Sequence, residues 1–301
     1  MQQEVPEPDP VSRALIWDVQ EAYEDQDYIH ALTLLDSLLQ RLPDYAQLHN
    51  LRARVLSSLY RFDEAEAAYA QARKLAPNLK GVAYAMGSNA FFRGQFRSAL
   101  NHYQSEIALL SSDDTTALGA VWAQIGRVYA RLGVDDSARI AYKRALSHRP
   151  SYAQAWSWLA ELDEDLGALE EALVNALRAV SLMPNEAEFN YLAGSLSVRT
   201  GRAADAEPHL DAVLQTEPWH VGANYNMARC LLALGRTAEA HRFFEATERL
   251  EGLQADIILA RFVLERNPLG VQEWLTLADL YQMSGRVQEA REAYGIARQL
   301  N

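Results

Sequence analysis

The side chains that most often bind metals or act as nucleophiles are few in this sequence and are not grouped. The seven histidines never lie three or four residues apart, so no helix face offers a local pair of imidazole ligands. Cys230 is the single cysteine, and its helical surroundings favour a small buried apolar role. The chain has neither a glycine-rich phosphate loop nor a nucleophile elbow. We therefore expect no catalytic residue, no metal site and no cofactor, and we predict that the chain is not an enzyme.

The charge balance narrows the classes of partner. The 301 residues include 40 Asp and Glu against 28 Lys and Arg, which gives a formal net charge of −12 at pH 7. Such a field repels phosphate, so we expect neither nucleic acid nor anionic membrane as a partner. No run of 18 apolar residues could cross a membrane, and we expect no membrane insertion.

The start of the chain bears on its compartment. Residues 1–11 are polar and rich in proline, which predicts a short disordered lead. This lead does not have the charged and then apolar pattern of a signal peptide. It is also compatible with the mature end of a secreted protein. A soluble cytoplasmic location and a periplasmic one therefore both stay open.

A repeated spacing organises almost the whole chain. A small residue in a helical pattern is followed by a bulky residue four positions later and by proline twelve positions later, as in Ala31, Leu35 and Pro43. These alanines form two series with a period of 34 residues: Ala31, Ala65 and Ala99, and then Ala138, Ala172, Ala206 and Ala240. Glycine stands five residues before most of them, where it predicts the turn between two helices. We interpret the unit as helix, glycine turn, helix and proline stop.

A second set of glycines predicts close packing between helices. Gly87, Gly126 and Gly194 each lie twelve residues before a repeat alanine, in the middle of a predicted helix. Glycine costs a helix interior up to about 1 kcal/mol relative to alanine. Its presence there indicates that another helix approaches too closely for a larger side chain.

The unit resembles the tetratricopeptide repeat (TPR) family. One nearly complete copy of the family signature consists of Trp122, Ile125, Gly126, Tyr129, Gly133, Ala138, Tyr142, Ala145 and Pro150. Eight copies are predicted over 12–45, 46–79, 80–113, 119–152, 153–186, 187–220, 221–254 and 271–301. The resemblance implies an all-α fold, a right-handed superhelical solenoid of antiparallel helix pairs, with about sixteen helices and one more.

The period is interrupted twice, each time where the proline stop is missing. Ser111 stands in its place before the first interruption, and a short insertion at 114–118 is predicted to lengthen the loop and cap the next helix. Gly252 stands in its place before the second, and 255–270 is predicted to be an extra or degenerate helix. The predicted organisation is thus a lead over 1–11, seven repeats over 12–254, this helix, and an eighth repeat over 271–301.

The resemblance also implies where a partner would bind. In TPR domains the first helices line a concave groove, and the helical period turns residues near each mid-helix small residue towards it. Aromatic residues and arginines recur at these positions, and both types are enriched at binding hot spots. The predicted partner-binding residues are Trp17, Asn50, Arg54, Tyr84, Phe92, Arg127, Arg131, Trp158, Tyr191, Arg199, Tyr225, Asn226 and Arg229.

Individual members of this set have alternative roles. Any one aromatic ring can belong to the core, and Arg127 and Arg131 can pair with carboxylates such as Glu161 or Glu164 of the next copy. Some TPR domains bind the C-terminal carboxylate of a chaperone through a Lys, Asn and Arg clamp. Asn226 matches the central Asn, but the neighbouring copies do not supply the other members, so chaperone-tail binding is not implied.

These features predict a non-catalytic scaffold for protein–protein interaction that binds a peptide or a partner segment, in particular one with carboxylate groups. The alternative is a structural or assembly subunit that associates through its ends and outer face. Tyr294 and Leu300 lie on the last helix, and no capping helix follows them in this sequence. Uncovered apolar surface at a solenoid end predicts either self-association there, as a homo-oligomer, or a chain that is a fragment of a longer array.

Overall fold

Helices make up the regular secondary structure of the described residues. The computed structural model describes residues 9–301, and within that range it contains sixteen α-helices and no strand. The helices are α1 (Pro10–Glu24), α2 (Tyr28–Arg41), α3 (Ala46–Ser58), α4 (Phe62–Leu75), α5 (Val82–Phe92), α6 (Phe96–Ile107), α7 (Thr115–Arg131), α8 (Asp135–His148), α9 (Ala153–Asp165), α10 (Leu169–Leu182), α11 (Ala187–Arg199), α12 (Ala203–Thr216), α13 (Val221–Ala233), α14 (Thr237–Arg266), α15 (Val271–Ser284) and α16 (Val287–Leu300). Short turns join them into eight packed pairs, which confirms the all-α array of helix pairs.

The pairs are divided between two compact units. The first unit ends at Pro150 and contains α1 to α8, and the second begins at Ser151 and contains α9 to α16. Each helix buries one apolar side, as α16 does with Ala290, Ala293 and Ala297 at helical spacing. Alanine is suited to these positions because it favours helix and lets neighbouring backbones approach.

The mid-helix glycines lie where helices of one pair approach most closely. A Cβ atom on Gly87 would be 2.6 Å from Cε1 of Tyr103, and one on Gly126 would be 2.5 Å from Cδ1 of Tyr142. At Gly194 it would be 2.8 Å from Cγ of Leu210. The close approach that the sequence predicts is therefore confirmed.

The turns between paired helices use left-handed backbone. Six of these turns place glycine there, for example Gly133 with φ of 69°. In the first two pairs the same turn position is occupied by Gln26 and Tyr60, with φ of 61° and 59°. A residue with a Cβ atom pays roughly 1–2 kcal/mol for this conformation.

We expect Gly133→Ala to lower the free energy of unfolding by about 1 kcal/mol, because alanine resists a positive φ. No atom lies within 4 Å of a Cβ atom at this position, so the effect is purely conformational. Gln26→Gly relieves the same strain and is expected to shift stability in the opposite direction by up to about 1 kcal/mol. Urea denaturation followed by circular dichroism measures both changes, and equal signs would contradict the explanation.

The first helix begins earlier than the sequence suggests. The Asp9 carboxylate accepts hydrogen bonds from the backbone N–H groups of Val11 and Ser12, at 3.0 and 3.2 Å, and so caps α1. Pro10 and Val11, which the sequence analysis assigns to the lead, are therefore helical. Residues 1–8 of that lead lie outside the described residues.

Both interruptions of the period lengthen a helix. Thr115 to Leu118 form the first turn of α7, and the Asp114 carboxylate accepts from Ser111 and Lys80 without capping α7 through its side chain. The segment 255–266 continues α14 without a break, so the extra helix expected at 255–270 is not a separate element. Glycine at position 252 weakens a helix without ending it, whereas the proline found elsewhere ends it.

Candidate functional site

An open cavity of about 790 Å³ lies in the first unit, on the side of its first helices. The cavity is bounded by α3, by α5 and by the turns that follow α1 and α3. Its aromatic lining residues are Tyr23, Tyr28, Tyr60, Phe62, Tyr69, Tyr84 and Phe92. Among the described lining residues Arg54 is the only Lys or Arg, and none is Asp or Glu. The cavity thus combines apolar walls with one positive charge.

Three of the residues predicted from the sequence, Arg54, Tyr84 and Phe92, line this cavity together. The sequence analysis missed Tyr23, Tyr28, Tyr60 and Phe62, as well as the buried Tyr69. Four of these lie at or beside a turn, where helical periodicity does not indicate the direction of a side chain. One sequence feature could have indicated this cluster. Tyr60 is an aromatic residue at the turn position where most other repeats have glycine.

Arg54 projects from α3 because both of its neighbours are packed. Ala53 and Val55 are fully buried, which turns Arg54 away from the core. Its guanidinium carbon lies 5.0 Å from the centroid of the Tyr23 ring, a cation–π distance. Within residues 9–301 Arg54 makes no ion pair, so its charge is not neutralised by a carboxylate.

Tyr60 and Phe92 are the most exposed rings of the cavity, at 80% and 69%. Tyr60 carries the left-handed backbone described above and packs edge-on against Phe62 at 6.0 Å. Glycine would adopt this backbone conformation at less cost than tyrosine does. Asn89, also in the lining, is buried, and its Nδ2 atom has no hydrogen-bond acceptor.

The inner wall of the cavity is held by contacts between α5 and α6. Tyr84 packs against the buried Tyr103 with ring centroids 5.7 Å apart, and the Ser88 hydroxyl oxygen lies 3.3 Å from that of Tyr103. Burial raises the pKa of Tyr103 to about 12. These contacts set the position of α5, from which Tyr84 and Phe92 project.

A buried carboxylate fixes the start of α5. Glu106 of α6 is 2% exposed and accepts hydrogen bonds from the backbone N–H groups of Gly81 and Tyr84, at 2.6 and 3.2 Å. Gly81 has no side chain with which to cap α5, and a negative charge is favourable at a helix N-terminus. The corresponding positions in the neighbouring repeats are Ala72 and Ala145, so the repeat pattern did not predict this contact.

The other predicted residues of the first unit lie outside this cavity. Trp17 is 72% exposed on α1, and Asn50 on α3 is half-buried with an Oδ1 atom that has no donor. Arg127 lies over the Phe91 ring at 4.7 Å and donates to the side-chain oxygen of Gln124. Arg131 is exposed at the end of α7.

The predicted residues of the second unit differ in how much surface they offer. Arg199 forms an ion pair with Glu164 but remains exposed, whereas Asn226 is buried and offers little surface to a partner. Trp158 and Tyr191 are half-buried. Tyr225 is 46% exposed and lies 5.9 Å from the guanidinium of the exposed Arg229.

The residues predicted for self-association are also partly covered. Tyr294 and Leu300 are half-buried. The Tyr294 hydroxyl donates a 2.5 Å hydrogen bond to Asp279, which raises the pKa of Tyr294. Other apolar side chains of this region are more exposed, among them Ile258 and Leu259 of α14 and Met283 of α15.

The groups with metal or nucleophilic chemistry are dispersed. In the part of the chain that the structure describes, no three His, Cys, Asp or Glu side chains are grouped so as to hold a metal ion. Cys230 is fully buried and its thiol donates to the carbonyl of Ala203, and burial raises the pKa of the thiol. Among residues 9–301, no helix combines the length and the apolar character needed to span a membrane.

Comparisons with known proteins agree with the repeat architecture. Models described as tetratricopeptide repeat match residues 46–79, 119–162 and 197–256. Superkiller complex protein 3 of Homo sapiens is 22% identical over 283 residues, which cover 91% of this chain and 17% of that protein. Protein FlbA of Caulobacter vibrioides is 27% identical over 201 residues, which cover 67% and 31%. The chain therefore spans less than a third of the length of these curated relatives.

A solved structure shows the same fold. PilW, described as a widely conserved type IV pilus biogenesis factor, superimposes with a TM-score of 0.62 at 20% sequence identity, covering 72% of this chain and 98% of PilW. This likeness concerns the fold alone. The helix pairs, the glycine turns and the three matched segments together identify the chain as a tetratricopeptide repeat protein, a family of protein-interaction scaffolds.

Proposed function

We propose that this chain is a non-catalytic scaffold that binds a peptide or partner segment along its first helices, with the cavity of the first unit as the main contact. The observation that carries the proposal is the composition of that cavity. It gathers seven aromatic rings and one arginine from three successive repeats into about 790 Å³. Tyrosine and arginine are enriched among the residues that dominate binding energy.

The chemistry of the cavity favours a particular kind of segment. Aromatic rings bury apolar side chains at little entropic cost, because each ring has few rotatable bonds. Arg54 adds a guanidinium that can bind a carboxylate through two parallel hydrogen bonds. We propose a segment with a bulky apolar residue close to one acidic side chain. Only one cation lines the described cavity, so a single carboxylate is sufficient.

The test begins with a library of random twelve-residue peptides displayed on phage and selected against the whole chain. Selected peptides are then synthesised and their affinities measured by fluorescence anisotropy. Arg54→Glu is expected to weaken binding about tenfold or more, which corresponds to roughly 1.4 kcal/mol, because attraction to the carboxylate becomes repulsion. Affinity for the unaltered chain is expected to fall as salt rises, since the carboxylate contact is screened.

Arg242→Glu is the matched control, because Arg242 is exposed on α14 and does not line the cavity. It makes the same change in net charge and should leave affinity within about twofold, as expected for a charge outside the contact. Phe92→Ala separately tests the apolar wall. If the peptides bind Arg54→Glu and Phe92→Ala as tightly as they bind the unaltered chain, the cavity is not the contact and the proposal fails.

A further inference from the structure

The C-terminal half of α14 has an apolar side that its own unit leaves uncovered. Ile257 and Leu264 are buried and pack with Leu277 of α15. On another side of the helix, Leu259 is 61% exposed and Phe262 is 46% exposed. A helix that is apolar on two sides requires two packing partners, and α15 supplies only one.

A groove accompanies this uncovered side. A cavity of about 340 Å³ lies between α14 and α15, with a floor formed by Leu259, Ala260, Val263 and Leu280. Two adjacent helices with an apolar groove between them can accept a bulky side chain from a third helix.

The residues along this side form a stripe with unlike charges at its ends. Asp256, Leu259, Val263 and Arg266 are spaced three, four and three residues apart, which places them in one row along the helix. Asp256 lies at the N-terminal end of the row, and Arg266 lies at the C-terminal end with its guanidinium 4.2 Å from the Phe262 ring centroid. Neither Asp256 nor Arg266 makes an ion pair within the residues that the structure describes.

We propose that this row, together with Phe262, binds the same surface of a second copy of the chain in an antiparallel, two-fold arrangement. A two-fold axis close to residue 261 pairs Asp256 with the partner's Arg266 and Leu259 with the partner's Val263. The same axis places Phe262, which flanks the row on the side away from the groove, beside the partner's Phe262. The row is self-complementary in charge and in its apolar residues, as a two-fold interface requires.

The test measures mass by sedimentation equilibrium over a wide range of protein concentration. The unaltered chain is expected to show a reversible dimer, and Phe262→Glu is expected to remove it, since two glutamates would face each other across the axis in an apolar contact. Phe262 is partly exposed in the single chain, so this change does not disrupt the core. Val174→Glu is the control: Val174 is 64% exposed on α10, outside the proposed surface, and its replacement should leave the dimer intact.

Reversing single charges tests the proposed pairing of Asp256 with the partner's Arg266. Asp256→Arg places two arginines opposite each other and Arg266→Asp places two aspartates opposite each other, so each variant alone should dimerise at least tenfold more weakly. An equimolar mixture of the two variants restores both attractive pairs and should form a heterodimer with the affinity of the unaltered chain. Unchanged circular dichroism spectra confirm that the variants are folded.

Three results would overturn the proposal. The unaltered chain stays monomeric up to near-millimolar concentration, or it dimerises with no response to either charge reversal, or the mixture dimerises no better than the separate variants. In the first case the surface would have to serve the helix of a different protein. None of these results bears on peptide binding in the first unit.

Discussion

Gly87→Val is expected to lower the free energy of unfolding by about 3 kcal/mol, the upper range for overfilling a packed interior. The first added atom would already lie 2.6 and 2.7 Å from two ring carbons of Tyr103. Tyr103 is fully buried, and its ring packs against Tyr84. A rigid ring held on several sides cannot move away, so α5 would be pushed from α6.

The matched control is a helical glycine with free space around it. No atom lies within 4 Å of a Cβ atom built on Gly295 in α16, so Gly295→Ala should stabilise the chain by up to about 1 kcal/mol through helix propensity. Chemical denaturation followed by far-ultraviolet circular dichroism measures both variants. A Gly87→Val variant as stable as the unaltered chain would show that the helices separate without cost, contrary to close packing at Gly87.

Glu106→Ala is expected to cost roughly 3 kcal/mol, because two backbone N–H groups of α5 would lose a charged acceptor in a buried place. Alanine also removes the negative charge that opposes the positive end of the α5 dipole. Glu106→Gln retains one carbonyl acceptor and should show an intermediate loss. Glu251→Ala, at an exposed position of α14, should change stability by less than about 0.5 kcal/mol.

A local measurement separates this capping role from a general loss of stability. Hydrogen exchange at the amides of Gly81 and Tyr84 should accelerate in Glu106→Ala more than exchange in α13, which lies in the second unit. Peptides selected on the unaltered chain should also bind the variant more weakly, because α5 carries Tyr84 and Phe92 into the cavity. If the amides of Gly81 and Tyr84 exchange at the same rate in Glu106→Ala as in the unaltered chain, the hydrogen bonds assigned to Glu106 are wrong.

At the interruption near Gly252, the local sequence did not predict that the helix continues. The missing proline indicates an irregular segment, and the sequence analysis placed a separate helix after it. The chain instead continues as one thirty-residue helix in which Leu253, Ile257 and Leu264 are buried. Glycine costs a helix only about 1 kcal/mol, which burial of three apolar side chains can offset.

The sequence predicted only those residues of the candidate site that lie on regular helices. Arg54, Tyr84 and Phe92 lie on first helices, where the period of 3.6 residues indicates which side faces the cavity. Tyr23, close to the C-terminal end of α1, and Tyr60, in the turn after α3, reach the same cavity. No period governs turns, so their convergence depends on how successive pairs stack.

By itself, the sequence determined the helix pairs, their glycine turns and the points of closest approach between helices. These features follow from local physics: the period of apolar residues, the left-handed preference of glycine and the absence of a side chain at Gly87 or Gly126. The tertiary structure alone decided that Glu106 caps α5 and that Arg54 has no ion-pair partner among the described residues. It also decided that α14 leaves Leu259 and Phe262 uncovered. Each of these features depends on which residues distant in the sequence lie near each other, and a local sequence pattern does not predict that.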